Sequence, residues 1–240
     1  MKRKILPFFL YILCFYSGKS QHKSNLHQEA WVDSVFASLS PDEKIGQLMI
    51  VRLSSINSVN RQVTFYEQKV DSAVRQYNIG GICLFQGGPI KQTSLINYYQ
   101  SIAKTPILIS IDGETGVGMR VDSVAALPRQ MMLGAVQNPE IVYQYGRWVS
   151  EQCRRMGIQV NYAPVVDINN NPRNPVINDR SFGEDKYRVA QLGIQYMKGM
   201  QDAGTMAVAK HFPGHGDVAV DSHHDLPVIN KSRQQMDSLE

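Results

Sequence analysis

The chain is 240 residues long with a formal charge of +4, and Lys2, Arg3, Lys4 and Lys19 carry that whole excess because residues 1–20 hold no acid. The remainder is neutral, so charge makes no case for a nucleic-acid partner. Of three cysteines, Cys14 falls in the same leader, and Cys83 and Cys153 read as buried small hydrophobes, which excludes a disulfide framework.

In chain order, the basic head Lys2-Arg3-Lys4, the apolar run Ile5 to Tyr16 and the small residues Gly18 and Ser20 read as a signal peptide over residues 1–20, cleaved before Gln21. The run is shorter than the roughly 20 apolar residues a membrane-spanning helix needs. The expectation is therefore export, to the periplasm or beyond the cell, with no stable membrane insertion after cleavage. Residues 21–39 form a polar leader and a first helix with Trp31, Val35, Phe36 and Leu39 at helical spacing. Ser40-Pro41-Asp42-Glu43 is a helix start in which Ser40 caps and Glu43 reaches back. A first strand follows near Met49 to Arg52.

A strand–helix rhythm then sets in. Val63, Tyr66, Val70 and Val74 predict a helix face ended by Asn78 and Gly80. Gly81 to Phe85 is an apolar strand, and a helix runs through Leu95, Ile96 and Ile102. Pro106 to Ile111 is a third strand. Asn138-Pro139-Glu140 opens a helix whose apolar face is Ile141, Tyr145, Trp148, Val149 and Met156, closed by Gly157. Ile158 to Ala163 is a fourth strand. A helix with Val189, Leu192, Tyr196, Met197 and Met200 leads to a fifth strand, Met206 to Ala209, and a last helix begins near Ser232. Continuously apolar strands are buried on both faces, as in a parallel sheet covered by helices. A (β/α)8 TIM barrel and an open doubly wound sheet both fit this rhythm. No Gly-x-Gly-x-x-Gly turn supports a dinucleotide fold. Strands three, four and five end in the polar residues Asp112, Asn161 and Lys210, and chemistry-bearing residues on several strand ends are the barrel arrangement. The expected fold is an α/β (β/α)8 TIM-barrel type over residues 40–240, incomplete, with about five of the eight units.

The densest chemical signal follows the fifth strand: Lys210-His211-Phe212-Pro213-Gly214-His215-Gly216-Asp217, then Asp221-Ser222-His223-His224, with four of the six histidines. Lys210 and His211 can donate to hydroxyl oxygens. Asp221 lies two residues from His223, and a carboxylate beside an imidazole orients it and suits proton transfer near neutral pH. The spacing matches none of the helical zinc patterns, so no metal and no cofactor is expected.

These residues resemble the signature loop of glycoside hydrolase family 3, in its β-N-acetylhexosaminidase branch. The resemblance implies His223 as general acid/base with Asp221 as its partner. Ile111-Asp112-Gly113-Glu114 through Arg120 resembles the family's loop after the third strand, with Arg eight residues after Asp and with Thr115 departing from the usual pattern. Asn178-Asp179-Arg180-Ser181-Phe182-Gly183 resembles its Arg-Ser-Phe-Gly element. The resemblance implies a carbohydrate partner held by Asp112, Arg120, Arg180, Lys210 and His211. Read from the residues alone, Asp112 also fits a helix cap, Arg120 a surface charge, and Asp167 a support for its loop.

The implied reaction is retaining hydrolysis of terminal β-linked N-acetylhexosamine, with phosphorolysis left open. The family's nucleophile is an aspartate on a later strand-end loop, so the expectation is that residues 1–240 do not include it. A β-glucosidase-like member and a non-catalytic glycan-binding protein are the alternatives. Nothing in the residues bears on oligomeric state.

Overall fold

The computed structural model describes residues 26–239. The signal peptide expected over residues 1–20 lies outside the described residues. Two compact units divide at Ser38/Leu39. The described part of the first is helix α1 (Leu26–Ser38), which includes the expected Trp31, Val35 and Phe36 spacing.

The second unit opens with α2 (Pro41–Gly46), whose start is the expected capping box: Glu43 N donates to Ser40 Oγ at 3.2 Å and Ser40 N to Glu43 Oε2 at 2.8 Å. Strand β1 (Ile50–Arg52) follows. The next segment corrects the sequence reading. Val63 is not helical: β2 (Ser54–Ile56) and β3 (Val63–Phe65) form an antiparallel hairpin with Ser54 opposite Phe65 and Ile56 opposite Val63. Val63-Thr64-Phe65 is a β-branched and aromatic run, which suits a pleated strand. The helical period begins only at α3 (Glu67–Tyr77), which buries Val70 and Val74 and ends at Asn78 in the left-handed conformation, φ 48°. Tyr66 caps that helix rather than lying on its face.

Then come β4 (Gly81–Leu84), α4 (Pro89–Ile102), β5 (Leu108–Ile111), the short α5 (Gln130–Gly134), α6 (Glu140–Arg155), β6 (Val160–Asn161), α7 (Lys186–Asp202), β7 (Met206–Ala207) and α8 (Arg233–Leu239). The sheet order is β1-β4-β5-β6-β7, and every pair is parallel. This is the barrel type with five of its eight strands, as expected. The fourth and fifth strands are shorter than the apolar runs suggested. Pro164 has no N–H for a ladder, and Val208 N divides between Asn161 O and Ala163 O instead of extending one.

Every residue of β4 is buried, and Ile82, Leu84, Ile109 and Ile111 are fully enclosed between sheet and helices. Each such side chain contributes about 1.5–3 kcal/mol through burial. On α6 the buried stripe is Val142, Tyr145, Val149 and Cys153, and on α7 it is Val189, Leu192, Tyr196 and Met200. The two stripes meet at Tyr145 and Tyr196, whose rings stand edge to face 5.1 Å apart. Ile141 and Trp148, expected on the buried face, are 47% and 55% exposed. The stripe repeats at three- and four-residue steps from Val142, which places Ile141 and Trp148 on the flank. Cys83 and Cys153 are buried and unbridged. Among the described residues no helix is long and apolar enough to cross a membrane.

Candidate active site

Parallel pairing brings the carboxyl ends of all five strands to one end of the sheet. There, Asp112 and Glu114 follow β5, Asp167 follows β6, and Lys210 and His211 follow β7. Lys210 Nζ bridges the two acids, 2.5 Å from Asp112 Oδ1 and 2.7 Å from Glu114 Oε1. Arg120 pairs with the other oxygen of Asp112, and its Nε donates to Asp112 O at 2.9 Å. Arg180 grips Glu114 with two parallel bonds, Nε to Oε2 at 2.9 Å and Nη2 to Oε1 at 2.7 Å. Two acids and three cations thus form one partly buried network.

Burial alone would raise the Asp112 carboxyl. Lys210 and Arg120 outweigh it, and the group sits below its ordinary range. Burial opposes ionisation of Glu114 in the same way, and the bonds from Arg180 and the charge of Lys210 again bring it below its ordinary range. Glu114 is the more deeply buried of the two acids. Its backbone is held as well: Tyr196 Oη, at the centre of the α6–α7 contact, donates to Glu114 O at 2.9 Å.

Asp167 organises the loop after β7. Its buried carboxylate accepts from His211 Nδ1 at 2.6 Å, His211 N at 3.1 Å and His215 N at 2.7 Å. The loops on either side interlock. Asn174 Nδ2 donates to His215 O and Val218 O at 2.6 and 2.9 Å, and Asn171 Nδ2 to Asp217 O at 2.6 Å. Gly216 lies so close to the other loop that a Cβ there would stand 1.7 Å from Ile168 O. Both ring nitrogens of His215 are buried without a hydrogen-bond partner.

Asp221 and His223 form a separate pair. Asp221 Oδ1 accepts from His223 N at 2.8 Å and contacts His223 Nδ1 at 2.7 Å. The bond from the His223 backbone leads the causes that bring the Asp221 carboxyl below its ordinary range. The imidazole side chain is 76% exposed, with Nε2 away from the carboxylate. Among the described residues no hydrogen bond or ion pair joins this pair to the Asp112–Lys210 network.

A family model described as "Glycosyl hydrolase family 3 N terminal domain" matches residues 40–240. The chain belongs to glycoside hydrolase family 3. A protein named "Beta-hexosaminidase A" from Pseudoalteromonas piscicida is 35% identical over 188 residues, which are 72% of this chain and 31% of that protein. A "Beta-N-acetylglucosaminidase/beta-glucosidase" from Cellulomonas fimi is 31% identical over 87% of this chain and 35% of its own length. A solved structure described as a glycoside hydrolase family 3 beta-N-acetylglucosaminidase from Paenibacillus sp. str. FPU-7 superposes with a TM-score of 0.74 at 37% identity, covering 84% of this chain and 38% of that one. The chain spans about a third of the length of these relatives.

In this family 3 chain the folding brings Asp112, Arg120, Arg180, Lys210 and His211 together. Asp112 caps no helix, and Arg120 is a paired side chain rather than a free surface charge. Asn161, read as one of the polar strand-end residues, is fully buried, and its amide exchanges bonds of 3.0 Å in both directions with Gly113, fixing the turn that carries Asp112 and Glu114. Asp167, expected to support its own loop, instead turns its carboxylate to the loop after β7, and only its backbone oxygen serves its own loop, accepting from Ser181 Oγ at 2.6 Å. Glu114 is the residue that sequence reasoning passed over. Its signal was present: an acid two residues after Asp112 in the same strand-end loop.

Proposed function

We propose that this chain is the amino-terminal catalytic part of an exported retaining glycosidase that removes terminal β-linked N-acetylglucosamine from glycans or cell-wall fragments. The observation that carries this reading is the Asp221–His223 pair. Asp221 is a carboxylate at Nδ1, which places the ring proton there and turns Nε2 outward. In the proposed reaction the His223 ring enters as the imidazolium, with a proton on each nitrogen; Nε2 gives its proton to the departing glycosidic oxygen and, then bare, takes one back from the attacking water, while Nδ1 keeps its proton toward Asp221. Asp112 accepts sugar hydroxyls, while Lys210, Arg120 and Arg180 donate to them. The nucleophilic carboxylate of a retaining mechanism is assigned to none of these residues. The family membership and the β-hexosaminidase names among relatives support the sugar specificity.

The test is hydrolysis of paired aryl β-N-acetylglucosaminide and β-glucoside substrates by the intact protein containing this chain. The proposal expects preference for the N-acetylated substrate and a loss in kcat of about 10²–10⁴ for His223→Ala. Unchanged kcat in that variant would remove His223 from the reaction. A preference for the glucoside would instead favour the second activity in the name of the Cellulomonas fimi relative. Sugar binding without turnover would favour a glycan-binding role. The export part is tested by the mature amino terminus, expected at Gln21.

A further inference from the structure

The chain contains a second imidazole–carboxylate pair, His211 with Asp167, and its geometry settles more than a contact. The Asp167 side chain is fully buried and receives three N–H directions: two from the backbones of His211 and His215, at 3.1 and 2.7 Å, and the third from the His211 ring at 2.6 Å. A carboxylate only accepts, so Nδ1 of His211 carries a proton. The polar atom facing the other ring nitrogen is Arg180 Nη2, 3.4 Å from Nε2. A guanidinium only donates, so Nε2 meets it with a lone pair. Glu114 holds that guanidinium in place through two bonds of 2.9 and 2.7 Å. Both sides of the ring therefore demand the same tautomer. The side chain is a third exposed and the 3.4 Å contact from Arg180 is long for a hydrogen bond, so a closer donor on a ligand can take the Nε2 lone pair in its place.

We propose that Asp167 is a positioning residue that locks His211 in the Nδ1–H tautomer, so that His211 meets the substrate as a hydrogen-bond acceptor at Nε2. This reverses the donor role expected from the residue type alone. It also defines what the site selects. With Arg180 and Lys210 as donors on the shared acid Glu114 and His211 as an acceptor next to Arg180, the matching group both accepts and donates. A neutral sugar hydroxyl does both, whereas a carboxylate or a phosphate dianion only accepts and would leave Nε2 facing like polarity. The substrate part of this inference rests on the proposed glycosidase reading, and the tautomer part does not.

Two measurements on the intact protein separate them. Long-range proton–nitrogen correlation spectra, with His211 assigned by comparison with His211→Gln, are expected to show Nδ1 protonated and Nε2 bare at a pH where the rings are neutral. An Nε2–H pattern overturns the proposal whatever the enzyme's activity. Asp167→Asn, whose amide can donate toward the ring, is expected to shift His211 toward Nε2–H while the His223 signals stay in place; if it does not fold, the unsubstituted protein alone decides. The second measurement compares N-acetylglucosaminides with each hydroxyl in turn replaced by hydrogen or by fluorine, which accepts but cannot donate. At one position both replacements are expected to lower kcat/KM by about tenfold or more, the worth of one such bond, and the penalty is expected to vanish in His211→Phe. Fluorine restoring the parent rate at every position whose penalty depends on His211 would make His211 a donor and overturn the inference. Failure to cleave N-acetylglucosaminides at all would refute the glycosidase reading and leave the tautomer result standing.

Discussion

Arg180 and Glu114 meet in a two-pronged ion pair, with bonds of 2.9 and 2.7 Å, and Oε1 of Glu114 also meets Lys210 at 2.7 Å. One acid on the loop after β5 therefore holds a cation from the loop after β6 and another from the end of β7. The relation makes Glu114 the joint between three strand ends.

Breaking a buried pair by removing one partner leaves a charge without compensation. Glu114→Ala is expected to lower stability by about 3–5 kcal/mol, read as a shift in the urea midpoint of the intact protein. The pair Arg129–Asp179 is the control: its side chains are 60% and 57% exposed. Asp179→Ala should cost about 1 kcal/mol or less. Equal losses in the two variants would refute the placement of Glu114 as the joint.

The same network predicts acid sensitivity. Asp112 and Glu114 have carboxyls below their ordinary values of 3.8 and 4.5. A depressed folded-state value means that the unfolded chain binds protons first, so stability rises with pH through this range. The contribution is complete above those ordinary values and is lost as pH falls below them through the lower folded values. Unfolding free energy followed downward from pH 5 should fall less steeply in an Asp112→Asn, Glu114→Gln double variant than in the parent. Parallel slopes would show that neither group is depressed.

Gly216 is placed for close approach. A methyl group there would stand 1.7 Å from Ile168 O, and backbone rather than a flexible side chain is in the way. Gly216→Ala should destabilise by about 1–3 kcal/mol or more through overpacking, with loss of activity as the loops carrying Asp167 and His215 part. A thermal midpoint within a degree of the parent would show that the loops separate without cost.

The pair Asp221–His223 makes the opposite prediction. Its imidazole is 76% exposed and outside the ion-pair network. Asp221→Asn should leave stability within about 0.5 kcal/mol. It should nonetheless lower kcat and alter the pH–rate profile, because the ring loses the carboxylate that orients it. A fall in melting temperature matching the fall in rate would recast the pair as structural.

The five strands present unpaired edges at β1 and β7, where Ile50 and Met206 are each 50% exposed. The 240-residue chain expressed by itself is expected to self-associate through these edges. Sedimentation velocity showing a monomer at micromolar concentration would refute this.

The sequence by itself determined the barrel rhythm, because apolar runs such as Gly81 to Leu84 and periodic stripes such as Val189 to Met200 are local properties of the chain. It also determined the chemistry on offer, since Lys210-His211 and Asp221-Ser222-His223 are legible as residue types at fixed spacing. The hairpin at Val63 was not legible, because Val63 falls three residues before Tyr66 and so continues the three- and four-residue steps of Tyr66, Val70 and Val74, and Val63-Thr64-Phe65 becomes a strand only against its partner. Neither was the split of the candidate site into a partly buried ion-pair network and an exposed dyad. Arg180 and Glu114 are 66 residues apart, and His211 and Asp167 are 44. Which acid takes which cation, and which nitrogen of His211 keeps the proton, depends on distances of a few ångströms between segments that meet only when the parallel strands align their ends. Hydrogen bonds and desolvated charges act over that range, and spacing along the chain carries no record of it.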